Sequence, residues 1–355
     1  MRLQAIDKLK NLDRPVMITG HTGFKGTWLT LLLESQGIEV TGISLEPEKD
    51  SLYSRLDRTG RIDERFLDIR DFESVNAAVG SIKPSVVFHM AAQPLVLQSY
   101  VDPRGTFETN VMGTANVLES ISNLSSQSYV VAVTTDKVYE NLETGTKFKE
   151  NDKLKGKDPY SASKVGTESV VAAWKNIWKL NDAHKLCSAR AGNVIGGGDF
   201  AKDRLIPDII RGIQARTAIE IRNPESSRPW QHVLDPLSGY VYAAGALLSG
   251  VDLEGVNFGP TEKSLSVQSV ITIAQQDFPG EVEFVISNSQ KNQPLESGLL
   301  DLDASLARTK LGWKPKWSQE EAIHLTFSWW KSIQRGTSSA AEACSRDIAE
   351  LLEES

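Results

Sequence analysis

Apolar residues in this chain fall into short runs separated by amphipathic stretches, and the alternation repeats through the first half. PVMITG at residues 15–20 is an apolar run that stops at a glycine, which predicts a buried strand; TWLTLLLESQG then predicts a helix ended by Gly37. IEVTGISL predicts a second strand, FLDIRD follows a third short one, and KPSVVFHMAAQ predicts a fourth. DPRGTFETNVMGTANVLESI keeps its apolar residues on one helical face and predicts a long amphipathic helix. VVAVTTDKVY is a β-branched run that stops abruptly at polar residues. Strands this continuously apolar are buried on both faces, so the alternation predicts an α/β fold with a doubly wound parallel sheet.

Beyond that strand, KFKENDKLKGKDP predicts a charged, solvated loop and YSASKVGTESVVAAWKNIW a helix. LCSARAGNVIGGGD predicts a strand running into a glycine-rich loop, where the chain leaves the first lobe. RLIPDIIRGI predicts a short helix, and AIEIRNPESSRPWQHVLDPLSGYVYAAGALL a strand, a loop and another helix. VNFGP, SVQSVITIAQQ and EFVIS continue a smaller C-terminal α/β lobe, and LLDLDASLARTKLGWKPKWSQEEAIHLTFSWW supplies two helices whose tryptophans belong in a core. The expected division is residues 12–190 with about 233–258 for the first lobe and 191–232 with 259–335 for the second. Residues 336–355 form a polar, amphipathic tail, read as a frayed helix or a contact between copies.

Composition narrows the class. With 355 residues there is enough chain for one large and one small lobe, and 40% hydrophobic against 24% charged residues is a globular balance. A net charge of −7 argues against a protein that wraps nucleic acid or lies on an anionic membrane. MRLQAIDKLKNLDRP lacks the apolar core of a signal peptide and no run is long enough to span a bilayer, which predicts a cytoplasmic protein. Cys187, in a predicted strand, and Cys344, in the tail, have no metal-ligand spacing, so neither a disulfide nor a metal is expected.

Candidate chemistry lies at the ends of the strands. Gly20, Gly23 and Gly26 form a G-x-x-G-x-x-G turn between strand and helix, which lets backbone approach a pyrophosphate and points helix N–H groups at it. His21 and Lys25 are unusual decorations of such a turn; Lys25 lies either near the phosphates or in solvent. Ser44 stands where many NAD enzymes carry an acid for the ribose, which leaves NAD against NADP open. Ala91 and Ala92 are small enough for a dinucleotide to pass, and His89, inside an apolar run, reads as a packed core histidine. Tyr160 and Lys164 are four residues apart and share a helix face, where an ammonium favours the phenolate and makes tyrosine a base. Thr135, Asp136 and Lys137 fall at the carboxyl end of their strand, where open α/β sheets bind ligands. Arg222 and Arg228, close to Trp230 and His232, suit an anionic nucleotide diphosphate.

Taken with GHTGFKGTWL at 20–29, TTDKVYEN at 134–141, DPYSASK at 158–164, GNVIGGGDFAKDRLIPD at 192–208, RPWQHVLDP at 228–236 and LGWKP at 311–315, the sequence resembles the extended short-chain dehydrogenase/reductase family over about residues 12–335. Within it the sequence resembles the CDP-glucose branch of the sugar-nucleotide 4,6-dehydratases, whose mark is Lys137 in place of the usual glutamate. The resemblance implies a Rossmann-type fold, NAD as cofactor, CDP-glucose as substrate, a dimer or tetramer of identical chains, and a product that feeds deoxysugar assembly for O-antigen or another glycan.

It also implies residue roles. The cofactor set is the turn itself (Gly20, His21, Thr22, Gly23, Phe24, Lys25, Gly26), then Ser44, Asp68 and Ile69 near the adenine end. Ala91, Ala92, Gln93, Asn110, Tyr160 and Lys164 complete it. Tyr160, lowered by Lys164 and helped by Thr135, would take the proton of the 4-hydroxyl. Asp136 and Lys137 would be the acid and base that remove water, with an exchange of those two roles left open. A lysine accepts a proton only when neutral, and an acid must hold its proton, so both need a low-dielectric setting. Asn193, Arg204, Leu205, Arg222, Arg228 and His232 are the implied substrate contacts. Another nucleotide-hexose dehydratase and a 4-epimerase are the alternatives, the second having no use for Asp136 and Lys137. A non-catalytic NAD-binding protein is the distant one, against which Tyr160 and Lys164 both stand.

Overall fold

The computed structural model describes residues 4–143, 145–221, 223–286 and 300–353. Seven strands, β1 (Val16–Thr19), β2 (Val40–Ser44), β3 (Asp63–Phe66), β4 (Val86–His89), β5 (Tyr129–Val133), β6 (Lys185–Ala191) and β7 (Gly255–Phe258), make one sheet. Its order is β7-β6-β5-β4-β1-β2-β3, and every neighbouring pair is parallel. All residues of β1, β2 and β4 are buried, as continuous apolar runs require, while β3 at the edge is half-exposed. The chain reverses its order between β1 and β4, so the connections leaving them diverge and open a crevice at their carboxyl ends.

The main helices are α1 (Phe24–Ser35), α2 (Phe72–Ile82), α3 (Gly113–Ser122), α4 (Pro159–Asn181), α5 (Leu205–Ala215), α6 (Leu234–Leu248), α7 (Val267–Asp277), α8 (Gln319–Gln334) and α9 (Ala340–Leu352). One core layer joins the sheet to α1, α6 and the C-terminal tryptophans, with Ile18, Trp28, Leu237, Trp313 and Phe327 all buried. The other holds Met17, Val75, Val117, Val171 and Trp178 beneath α2, α3 and α4. α4 starts sharply: Pro159 occupies the first turn and Asp158 and Ser161 form a reciprocal capping box. That fixed start sets the first-turn Tyr160 and the following Lys164 against the sheet.

The helix predicted from the DPRGTFETN stretch is not uniform. Pro103–Phe107 is α-helical, Glu108–Met112 is a π turn, and α3 continues from Gly113. The wider turn leaves the Asn110 carbonyl to accept the Thr114 and Thr167 hydroxyls at 2.7 and 2.8 Å.

The smaller lobe is built of short ladders: Ile219–Ile221 with Phe284–Ile286, Ser227–Arg228 with Leu265–Ser266, and Val194–Ile195 with Gln231–His232. VNFGP does not continue that lobe; it supplies β7, where Gly255 sits against the Arg190 guanidinium and a Cβ would come within 2.9 Å of it. The loop expected to be solvated is exposed at Lys149, Asn151, Asp152, Lys153, Lys155 and Lys157 and half-buried elsewhere. Phe148 stacks on Tyr139 at 5.0 Å, and Leu154 and Phe148 bridge to Tyr139 and Leu302. Within the tail, α9 is capped by Ser339 and Glu342 and buries Ala343, Cys344, Asp347, Ile348 and Leu351. No described helix is long and apolar enough to cross a membrane.

Candidate active site

The turn after β1 is shaped by two glycines. Gly20 has φ +78, and a Cβ there would lie 2.8 Å from the Ala91 nitrogen, in the loop after β4. A Cβ on Gly26 would lie 2.1 Å from the Gly20 carbonyl, so α1 can pack onto the turn only with glycine there. Exposed Gly23 caps α1 with no side-chain hydrogen bond, which leaves the first turn of the helix as a cradle for a pyrophosphate. The residues present therefore fit a dinucleotide. Buried Ser44, at the end of β2, has its hydroxyl 2.7 Å from that of Thr22. Phe24 packs beside Gly196, where a Cβ would meet its ring at 3.2 Å.

Other residues expected around the cofactor have partners of their own. His21 is buried with its ring over Gly42 of β2, where a Cβ would collide at 2.5 Å, and its Nε2 is 2.9 Å from Glu64 of β3. It braces the turn against the sheet rather than decorating the crevice. Asp68 is paired with Arg70 at 2.6 Å, and Ile69 is buried against Gly113. Half-buried Lys25 goes neither to solvent nor along the turn: its Nζ reaches the Tyr240 hydroxyl at 3.3 Å. Burial, Arg204 and Lys164 push its amine down to about 7, with Asp136 opposing.

Ala91 and Ala92 follow β4, and Gln93 is locked by Asn110. The Gln93 N–H donates to Asn110 Oδ1 at 2.8 Å, while Asn110 Nδ2 donates to the Gln93 carbonyl and to Ser163 Oγ of α4 at 3.1 and 2.8 Å. Asn110 thus ties the exit of β4 to the helix of Tyr160 and Lys164. His89 is the packed histidine its setting suggests. Thr19 Oγ1 accepts two backbone N–H groups, so its hydrogen goes to His89 Nδ1 at 2.8 Å, and Nε2–H donates to Thr114 Oγ1 at 2.9 Å. Burial, reinforced by Lys164, keeps it neutral, with a pKa near 3.

Thr135, Asp136, Lys137, Tyr160 and Lys164 meet at the end of β5. Thr135 caps a short 3-10 turn, Asp136–Val138, accepting the Lys137 N–H at 3.3 Å and donating to Asp136 Oδ1 at 3.0 Å. The Tyr160 hydroxyl is hydrogen-bonded to the same threonine. Lys164 Nζ donates to the Val133 carbonyl at 3.2 Å. Burial raises the Asp136 carboxyl, with Lys137, Thr135, Arg228 and Lys25 acting against it, so the group is biased toward its acid form. Gly192 lies against it: a Cβ there would stand 3.0 Å from Asp136 Oδ2.

The tyrosine departs from expectation. Burial pushes Tyr160 up to about 12, the Thr135 hydrogen bond opposes this, and Asp136 adds to it. Lys164, itself pushed down to about 8 by burial with Glu168 opposing, is anchored on a carbonyl rather than on the phenol. In the protein alone the lysine does not bring the tyrosine toward neutrality, because both groups are desolvated together.

Arg204, at the start of α5, is paired with Asp199 at 3.0 Å and its charge reaches Tyr160 and Lys25; half-buried Leu205 follows it. The charge of Arg228 acts on Asp136, and the Asn193 carbonyl accepts the Gln231 N–H at 3.0 Å. Arg222 lies outside the described residues. His232 does not join this cluster. Its short strand turns it inward, where its ring is fully buried between Trp28 and Trp317, at 6.0 and 4.7 Å. Sequence reasoning missed the inward path of Lys25, its partner Tyr240, and Glu168 beside Lys164. Of these only Glu168 left a signal, repeating the four-residue spacing of Tyr160 and Lys164.

A parallel sheet with a glycine turn at its switch point, and a tyrosine–lysine helix beside a buried acid, defines a dinucleotide-dependent enzyme class, and similarity to known proteins agrees. Residues 17–326 match the family described as GDP-mannose 4,6 dehydratase, and the chain belongs to this family, within the extended short-chain dehydrogenases/reductases. Over 344 residues it is 42% identical to the CDP-glucose 4,6-dehydratase of Salmonella typhimurium, covering 93% of this chain and 94% of that protein. It is 25% identical to dTDP-glucose 4,6-dehydratase 1 of Escherichia coli, covering 89% and 92%. The fold is shared with the dTDP-glucose 4,6-dehydratase of Streptomyces venezuelae, solved with NAD and TYD bound: TM-score 0.76 at 21% identity, covering 92% of this chain and 99% of that one.

Proposed function

We propose that the protein is a hydro-lyase that converts CDP-D-glucose to CDP-4-keto-6-deoxy-D-glucose on one retained NAD. The observation that carries the reading is the buried, acid-biased Asp136 beside Lys137, next to Tyr160, because an epimerase has no step for such a pair. Likeness to the Salmonella CDP-glucose enzyme supports the substrate.

Bound NAD would be held by the turn from Gly20 to Gly26, with Ser44, Ala91, Ala92 and Gln93 beside it, and would supply the reversible hydride acceptance that oxidation of the sugar at C4 and reduction at C6 require. Tyr160 takes the proton of the 4-hydroxyl, with Thr135 sharing that oxygen and Lys164 supplying positive charge. The resulting 4-ketone acidifies C5–H. Lys137 removes that proton while Asp136 protonates the leaving 6-hydroxyl and water departs; Lys137 gives a proton back to C5 when C6 is reduced. Arg204 and Arg228 offer cations to the diphosphate. In this reading residues 12–190 with about 233–258 carry the cofactor and 191–232 with 259–335 the nucleotide sugar. The protein acts in the cytoplasm as a homo-oligomer, for which exposed Tyr100, Val101, Phe107 and Met112, on the segments flanking α4, offer an apolar surface.

The test is incubation with NAD and, separately, CDP-, dTDP-, GDP- and UDP-hexoses, followed by mass spectrometry and NMR. Loss of one water from CDP-glucose alone is the expected result. Turnover of another nucleotide sugar would discard the substrate and keep the chemistry, and isomerisation without change of mass would give the case to the epimerase. Lys137→Ala is expected to stop solvent deuterium entering C5; undiminished exchange would remove Lys137 as the base.

A further inference from the structure

α4 carries a third ionisable residue on the face of Tyr160 and Lys164. Glu168 stands one turn beyond Lys164 and is buried. Its carboxylate accepts four hydrogen bonds: Thr134 Oγ1 at 2.5 Å and Arg190 Nε at 2.9 Å on Oε1, Ser188 Oγ and Arg190 Nη2 at 2.8 Å each on Oε2. Burial pushes this group up, but Arg190, Thr134 and Ser188 together hold it below the usual carboxylate range, so it is an anion.

The pair has a direction. The carboxylate lies on α4, on the side of Lys164, while Arg190 on β6 turns its other donors to the Tyr139 hydroxyl and the Glu150 carbonyl at 2.8 and 2.9 Å. The end of β5 fixes both partners of α4: the Val133 carbonyl takes Lys164 Nζ, and the next residue, Thr134, donates to Glu168. Among the described residues, the charge of Glu168 on α4 acts on Lys164, and that of Lys164 acts on Lys25 in the turn after β1 and on His89 of β4; Tyr160 lies one turn before it on α4. Within that set Glu168 is the one carboxylate.

We propose that Glu168 is a positioning residue for the oxidation: its carboxylate, oriented by Arg190, keeps Lys164 a cation inside the protein so that the ammonium can stabilise the Tyr160 phenolate. The inference rests on the reading of Tyr160 and Lys164 as the oxidation pair. A lysine enclosed with another amine and no anion loses its proton, and a neutral lysine does nothing for a phenolate. A buried ion pair is weak evidence for stability, which leaves room for an electrostatic role.

The test titrates Lys164 in the full-length protein labelled with ¹⁵N-lysine, its NMR signal assigned by its loss in Lys164→Met, alongside the pH profile of kcat/KM for keto-sugar formation. Glu168→Gln strands Arg190 and can fail to fold, so Glu168→Gln/Arg190→Met, which keeps no charge at the site, is the second variant. Ser188→Ala is the control that removes one hydrogen bond and leaves the carboxylate. The expected result is that Lys164 titrates about one pH unit lower without Glu168, with the alkaline limb of the profile moving down equally, and that neither moves in Ser188→Ala. An unshifted lysine in the double variant, or an equal shift in Ser188→Ala, would overturn the proposal. Normal turnover by Lys164→Met would instead sink the reading beneath it, whatever the NMR shift.

Discussion

Two clusters of buried carboxyl groups in this molecule share a desolvated setting and differ in what faces them. At the end of β5, burial raises Asp136 while Lys137, Arg228 and Lys25, from three separate segments, pull it back. Lys137 beside it is only half-buried, so the cluster opens outward. Under α9, burial raises Asp235 to about 8 and Asp347 to about 7, with Glu321 and Glu350 adding to it, and holds His232 neutral at about 3. There the surroundings are closed: Asp235 accepts the Lys316 N–H at 2.6 Å, Arg346 lies against Asp347 at 3.0 Å, and Trp28 and Trp317 seal the histidine. A raised carboxyl is thus no mark of chemistry by itself. What separates the clusters is that cations from three segments converge on the one carboxyl beside half-buried Lys137, whereas tryptophan rings and backbone donors enclose the other, where Arg346 reaches Asp347 from the adjacent position of its own helix.

The comparison can be broken by mutation. The largest effects belong to the open cluster: Tyr160→Phe should lower turnover by about 10²–10⁴-fold, since it removes the base of the first step. Asp136→Asn should lower it by about 10²-fold or more while cofactor reduction, followed by absorbance, persists. Asp235→Asn, an isostere of a carboxyl protonated near pH 7, should leave turnover within about threefold in the same assay, and a loss matching that of Asp136→Asn would erase the distinction.

Gly192→Ala sharpens the open side. A Cβ at 3.0 Å from Asp136 Oδ2 and 2.8 Å from a Pro229 side-chain carbon displaces the carboxyl by tenths of an ångström. The expected cost is about tenfold in kcat with an unchanged circular dichroism spectrum, as small misplacements of reacting groups produce.

The smallest effect tests the sealed cluster through stability. Asp347 has a folded pKa raised by burial to about 7, above an unfolded value near ~3.9. Its favourable contribution is therefore complete below the unfolded value and is lost as pH rises through about 7. Asp347→Asn should flatten the fall in Tm between pH 5 and 8, gaining on the order of 1–2 kcal/mol at the alkaline end. Calorimetric Tm values that fall as steeply in the variant as in the parent would show that the carboxyl is not carrying the pH dependence.

Much of the architecture was legible because local pattern and burial coincide. The apolar runs that became β1, β2, β4 and, beyond half-buried Tyr129, β5 admit no solvent on either face, and the glycine turn has one backbone path that fits between β1 and α1. Tyr160 and Lys164 were legible because a helix fixes the relation of residues four apart, and Thr135 to Lys137 because a strand ends where its apolar run ends. These were determined by sequence alone: helix and strand periodicities are short-range, and a few contiguous residues suffice to state them.

Only the tertiary structure decided what those residues face. Lys25 could be placed in the turn but not aimed at Tyr240, which lies far along the chain, and His21 could not be seen to need Gly42 and Glu64 as its floor and partner. His232, expected beside the substrate, went under α9 because its flanking strand pairs with Val194–Ile195 and turns it toward Trp28 and Trp317. The charge state of the site belongs to the same category. The sequence pairs Tyr160 with Lys164, but desolvation acts through every element packed around a group, and its partners Thr135, Glu168 and Arg204 arrive from a strand end, a helix turn and the start of α5.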